Sequence, residues 1–181
     1  VAGQPAAREA AVTALMAAGV PTYLTQEIAG IADRYSFSGD GPLVRVWPRG
    51  QAQAGTPQHP LSQPFVDGAL QLVGYDLAWL AQAGGPALRV TLYWRPVTPL
   101  TNVYKLSFRL YQGDSILLQE DRYPLRLAAP TTSWLPGETV RDVHYLAVPA
   151  TATPQTTQLR LILYAEQDGA EAGVVDLPTF P

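Results

Sequence analysis

Trp134-Leu135-Pro136-Gly137-Glu138, followed by Asp142 and the run His144-Tyr145-Leu146-Ala147-Val148-Pro149, is the stretch on which the reading of this chain turns. Proline presets φ for the second position of a tight turn, and glycine accepts the positive φ that a type II turn needs next. The alternating run after it reads as a strand, entered through that turn and anchored by a bulky aromatic. A strand with such an entry belongs to a sandwich of short strands, and no catalytic motif accompanies it.

The same period of two recurs on either side. Leu88, Val90, Leu92 and Trp94 share one face of a strand, and Arg89, Thr91, Tyr93 and Arg95 share the other. Tyr104, Leu106, Phe108 and Leu110 repeat the pattern opposite Lys105, Ser107, Arg109 and Tyr111. Gln112-Gly113-Asp114 turns the chain into a strand over 116–122, which predicts a hairpin. Further strands are predicted over 69–80, with a break at Gly74, and over 140–148, 158–164 and 173–177. Seven or eight such segments from residue 63 to 181 predict two packed antiparallel sheets, with jelly-roll and immunoglobulin-like topologies both open. Leu88, Val90, Leu92, Leu106, Phe108, Leu118, Leu161 and Leu163 are the expected interior.

Upstream the period changes. Residues 5–18 read as a helix, with Val12, Leu15 and Met16 at helical spacing and Gly19 as its stop. A short strand over 21–25, a helical segment over 26–32 capped by Thr25, and a hairpin of strands over 34–38 and 43–47 follow. The expected fold class is therefore α+β: a small α/β unit over 1–47, a linker over 48–62, and the sandwich over 63–181. One helix and a few strands bury too little surface to stand alone, so the unit is expected to dock on the sandwich.

Composition narrows the function classes. Charged residues make up 15% of the 181, below the roughly 25% usual for soluble domains, and the 12 basic residues are scattered rather than striped. Nucleic acid is excluded as an expected partner, because phosphate binding needs clustered Lys and Arg. With no cysteine there is no thiol nucleophile and no disulfide framework. The sequence carries no apolar run of about 18 residues, the length that crosses a bilayer. It opens at Val1 almost directly into a helical pattern, as expected of a soluble piece of a longer protein or a processed N-terminus.

Only His59 and His144 are available for histidine chemistry. His59 is expected in a solvated loop. Asp142 and His144 lie two apart on a strand and so share a face, the geometry of an acid-oriented base or of two metal ligands, but no third member is evident. A surface pair is the expectation. Glu120 and Asp121 are adjacent and must face opposite ways, so they cannot act together as paired carboxylates. No phosphate loop, zinc-helix or serine-elbow motif occurs, and no catalytic residue, metal site or cofactor is predicted. Aromatics offer the remaining chemistry, since Trp and Tyr faces stack on sugars. Trp134, Tyr75 and Tyr145 are the expected ligand-binding residues.

These turn and core segments also carry a resemblance. Residues 68–77, 90–94 and 121–124, Trp134 to Glu138 with Asp142, and Leu163-Tyr164 resemble a β-sandwich domain at the extracytoplasmic C-terminal end of bacterial multi-pass membrane proteins. Those proteins are similar to protein O-mannosyltransferases and other glycosyltransferases that use lipid-linked sugars. Residues 17–25 and 41–46 resemble the segment joining the last membrane helix to that tail. The resemblance implies a non-catalytic, extracytoplasmic, membrane-tethered domain whose partner is the membrane portion of its parent, positioning acceptor or shielding the active site. It places the sugar-transfer chemistry in that absent membrane part. The alternative is an independent carbohydrate-binding or adhesion module.

Overall fold

The computed structural model describes residues 22–24, 35–40, 43–48, 54–82, 85–127 and 129–178. The first three stretches are strands β1 (Thr22–Leu24), β2 (Tyr35–Asp40) and β3 (Leu43–Pro48), which form an antiparallel sheet in the order β1-β3-β2. The expected strands of the N-terminal unit are thus present, and the helices expected over 5–18 and 26–32 lie outside the described residues. β2 lies against the later strand β9 (Val140–Ala147) and the turn at Pro124–Leu127, as docking requires.

The rest is the β-sandwich. One sheet holds β4 (His59–Phe65), β5 (Leu70–Gln82), β6 (Gly85–Pro96) and β9 in the order β4-β5-β6-β9. The other holds β7 (Tyr104–Gln112), β8 (Ser115–Arg122), β10 (Thr157–Ala165) and β11 (Glu171–Pro178) in the order β11-β10-β7-β8. All pairings are antiparallel. This connectivity decides between the two topologies left open by the sequence. β5, β6 and β9 follow the A, B and E strands of an immunoglobulin-type Greek key, and β7, β10 and β11 follow C, F and G. β8 hydrogen-bonds to β7 in the second sheet, and β4 adds an edge to the first.

Alternation fills the space between the sheets as the sequence requires. Leu88, Val90, Leu92, Leu106, Phe108, Leu161 and Leu163 are fully buried, and Leu118 packs half-buried against them. Each fully buried side chain of this size contributes about 2 kcal/mol. Trp94 and Phe65 meet edge to face with ring centroids 5.3 Å apart at the β4 side of this core.

Two local differences have physical reasons. β5 does not end at Gly74 but runs through it with a shift of register, a bulge absorbing the irregularity. His59 to Ser62, expected in the linker, belong to β4. Pro60 reads as a loop residue, yet an edge strand tolerates proline because one row of its N–H groups has no partner to lose. The Pro-Gly turn itself is as expected: Glu138 N–H donates to Leu135 O at 3.2 Å across a Gly137 with φ of 83°.

Candidate functional site

Asp142 and His144 share a face of β9, but that face is the inner one. Val140, Asp142, His144 and Leu146 all point into the sandwich, and the two polar residues are 1% and 0% exposed. The expected surface pair is therefore corrected to a core pair. His144 Nε2 lies 2.7 Å from Asp142 Oδ2, and the Leu125 N–H donates to Asp142 Oδ1 at 2.9 Å. Leu125 has a φ of +47°, a conformation that costs a leucine about 1–2 kcal/mol and needs such a clamp. His144 also packs its ring 4.7 Å from Phe108. Through Leu125 the pair pins the β8-to-β9 crossover to the core, and both side chains are buried.

The expected stacking residues are not gathered on one surface. Trp134 is 5% exposed and donates its indole N–H to Ala129 O at 3.1 Å, so it closes the core beneath the η-turn at Thr131–Ser133. Tyr75 is also 5% exposed, on the inner face of β5, stacked on His59 at 4.9 Å. Burial pushes its phenol up from the ordinary value. His59 is half-buried by that stack rather than free in a loop. Tyr145 lies half-exposed on the outer face, opposite Arg89.

Polar side chains line both outer faces, Asp76, Tyr93, Arg141 and Tyr145 among them on β5-β6-β9, and on β8-β7-β10-β11 they form ion pairs and tyrosine contacts. Pairing registers arrange them in rows. Lys105 of β7 stands opposite Tyr164 of β10, Ser107 between Asp121 and Ile162, and Arg109 between Gln119 and Arg160. Tyr111 stands opposite Gln158 one step further on. Along β7 the rows are about 7 Å apart. Lys105 lies over the Tyr123 ring at 4.5 Å and 3.5 Å from Glu166, whose carboxylate accepts from the Tyr123 hydroxyl. The Tyr123 hydroxyl first, and Glu166 after it, raise the Lys105 ammonium above its usual value. Burial and then Asp121 push Tyr164 up as well. Arg160 grips Asp176 through two bonds of 2.6 and 2.8 Å and sits 5.4 Å from the Tyr111 ring.

Asp176 is held below its usual carboxylate value chiefly by the hydrogen bond from Arg160. A carboxylate whose folded pKa is depressed adds stability above the unfolded value near 3.9, and loses it as pH falls through the folded one. Because the pair is about 40% exposed, Arg160→Ala is expected to cost less than about 1 kcal/mol at pH 7. Thermal melts should show that difference shrinking as pH falls below the unfolded value near 3.9.

Sequence alternation already placed Lys105, Ser107, Arg109 and Tyr111 on one outer face. What it lacked was the neighbour strands, since β10 joins β7 from 45 or more residues away. On β8, Glu120 and Asp121 do face opposite ways: Glu120 accepts from Arg122 Nε at 2.8 Å on the inner side, and Asp121 faces out. A separate cleft of about 740 Å³ opens where β4 meets β11, lined by Phe65, Asp67, Asn102, Tyr104, Asp168 and Glu171 among others. No group of three metal-ligating side chains occurs among the described residues.

Fold and faces together define an immunoglobulin-type β-sandwich with polar, tyrosine-bearing outer faces. No family model and no curated protein matches the chain. Among solved structures it is similar to Bacteroides uniformis beta-glucuronidase, at 12% identity over 74% of this chain and 14% of that one, with a TM-score of 0.39. A calcium-binding mutant of Bacteroides uniformis beta-glucuronidase 2 gives 13% identity, 58% and 13% coverage and a TM-score of 0.43. The form of that enzyme covalently bound to cyclophellitol-6-carboxylate aziridine gives 11%, 83%, 16% and 0.42. The chain spans about a seventh of the length of these solved chains, and no residue role is carried across from them.

Proposed function

We propose that this chain is a non-catalytic accessory domain of an extracytoplasmic, membrane-tethered sugar-transfer protein, where it positions acceptor or shields the active site. One observation carries the reading. The His–acid pair that the sequence offers for catalysis is consumed inside the core, whereas the outward chemistry is a shallow, braced grid of tyrosines and charges suited to holding a ligand. Its partner is then the membrane portion of the parent, with glycan as the ligand presented to it. Tyr111 and Tyr164 on one sheet, with Tyr123 just past the end of β8, favour a second reading, an independent carbohydrate-binding module.

The tests separate the two. The reading frame upstream of Val1 should encode several membrane-spanning helices, and Tyr123→Ala with Tyr164→Ala in that parent should raise KM for acceptor several-fold at unchanged kcat. A secretion signal immediately upstream, with micromolar glycan binding by the isolated chain, would establish the second reading instead. Turnover of a glycoside or ester by the isolated chain would defeat both.

A further inference from the structure

Arg109 is the exception on the polar face. Lys105 is paired with Glu166, Arg160 with Asp176, and Asp121 engages Tyr164. Glu120, adjacent in sequence to Gln119, is turned to the inner side with Arg122. Among the described residues Arg109 has no carboxylate partner, and its Nε is buried without an acceptor. It also stands directly opposite Arg160 in the ladder, where like charges repel, and Asp176 neutralises only the latter.

Two residues along the same face, Ser107 is 3% exposed and its hydroxyl likewise has no partner. Burying such donors unpaired costs about 1–3 kcal/mol each, more where one is charged. Two of them, one same-face step apart on β7, form a donor set with no bonded acceptor, since the Asp121 carboxylate opposite Ser107 is turned to Tyr164; both atoms are covered, so an incoming anion must displace the Arg109 side chain to reach them. An acceptor that satisfies a guanidinium and a hydroxyl together is an oxyanion, since planar or tetrahedral oxygens match the guanidinium fork. Tyr111 lies one row to one side and Tyr164 two rows to the other, so a ring attached to that oxyanion meets an aromatic edge in either direction.

We propose that the outer face of β7, between β8 and β10, binds an oxyanion (carboxylate, sulfate or phosphate) carried on a saccharide, with Arg109 as principal donor and Ser107 as the second. The oxyanion site stands on geometry alone; the saccharide rests on the sugar-related reading above. The acidic cleft between β4 and β11 has the opposite charge and does not compete for the same ligand.

The test is titration of the whole chain, followed by calorimetry and amide chemical shifts, with sulfate, phosphate, a hexuronate, a hexose phosphate and the neutral hexose, against chloride at equal ionic strength. Oxyanions should shift β7 and β10 amides, and the acidic sugars should bind at least tenfold tighter than the neutral one. Arg109→Gln should weaken oxyanion binding at least tenfold while keeping or raising the melting temperature, because it removes an unpaired charge. Ser107→Ala should weaken binding two- to fivefold, and Arg95→Gln, on the opposite sheet, should change nothing. The site is refuted if chloride reproduces the sulfate shifts or if Arg109→Gln binds as the native chain does. Sulfate and phosphate binding with no gain from the sugar ring would uphold the oxyanion site and remove the saccharide, leaving the accessory-domain reading to its own test.

Discussion

Asp142→Ala is expected to cost about 3–5 kcal/mol of stability, the cost of breaking a buried hydrogen-bonded pair by removing one partner. The carboxylate serves two donors at once, the Leu125 N–H at 2.9 Å and the His144 ring at 2.7 Å, and alanine leaves both buried without an acceptor. It also releases Leu125 from its left-handed conformation, so the crossover between β8 and β9 should loosen first. Urea denaturation gives the loss, and amide exchange at Leu125 shows where it begins. Since 3–5 kcal/mol can exhaust a domain's whole margin, Asp142→Asn is the companion variant. It keeps an acceptor for Leu125 and should retain a good part of the stability. A loss under about 1 kcal/mol for the alanine variant, with Leu125 still protected, would show that the pair does not clamp the crossover.

Gly173→Ala should be the most damaging small substitution in the second sheet, at about 2–4 kcal/mol. Gly173 has a φ of +143° beside the register shift between β10 and β11, a conformation side chains rarely adopt. A Cβ there would lie 2.5 Å from Cδ1 of Phe65, a residue 1% exposed and packed against Trp94. Strain and overpacking therefore add. Phe65→Leu alone should destabilise, yet in the Gly173→Ala background it should recover part of the loss by vacating the space. Thermal melts of the two single variants and the double variant measure that coupling, and simple additivity would mean that Phe65 is not what the glycine accommodates.

Such close approaches show where local patterns stop being informative. The alternation of Leu88, Val90, Leu92 and Trp94 was legible because side-chain direction along a strand depends only on the strand itself. The turn at Pro136-Gly137 was legible because its two dihedrals are set by its own residues. The start of β4 is not legible because Pro60 looks alike in a loop and in an edge strand. The distinction lies in whether β5 runs alongside, and β5 cannot be placed from the composition of residues 59–65. Spacing shows that Asp142 and His144 share a face, but spacing does not say which face. Polarity favours solvent unless the fold supplies partners, and the decisive partner, Leu125 N–H, is a backbone group that no side-chain pattern reveals.

The candidate site divides in the same way. Trp134 stood out because it is large and sits at a turn, the properties that also make a good core plug, and its indole N–H finds Ala129 O inside. Alternation alone puts Lys105, Ser107, Arg109 and Tyr111 on one outer face and gives no reason to prefer it. The sequence by itself determined which segments become strands, which side chains share a face, and where the tight turn falls, because each follows from backbone geometry over a few residues. Only the tertiary structure decided the immunoglobulin-type connectivity, the inward direction of the Asp142–His144 pair, and the isolation of Arg109 beside a neutralised Arg160. Those depend on which distant strands lie side by side, and pairing between strands tens of residues apart is set by packing of the whole core rather than by any local preference.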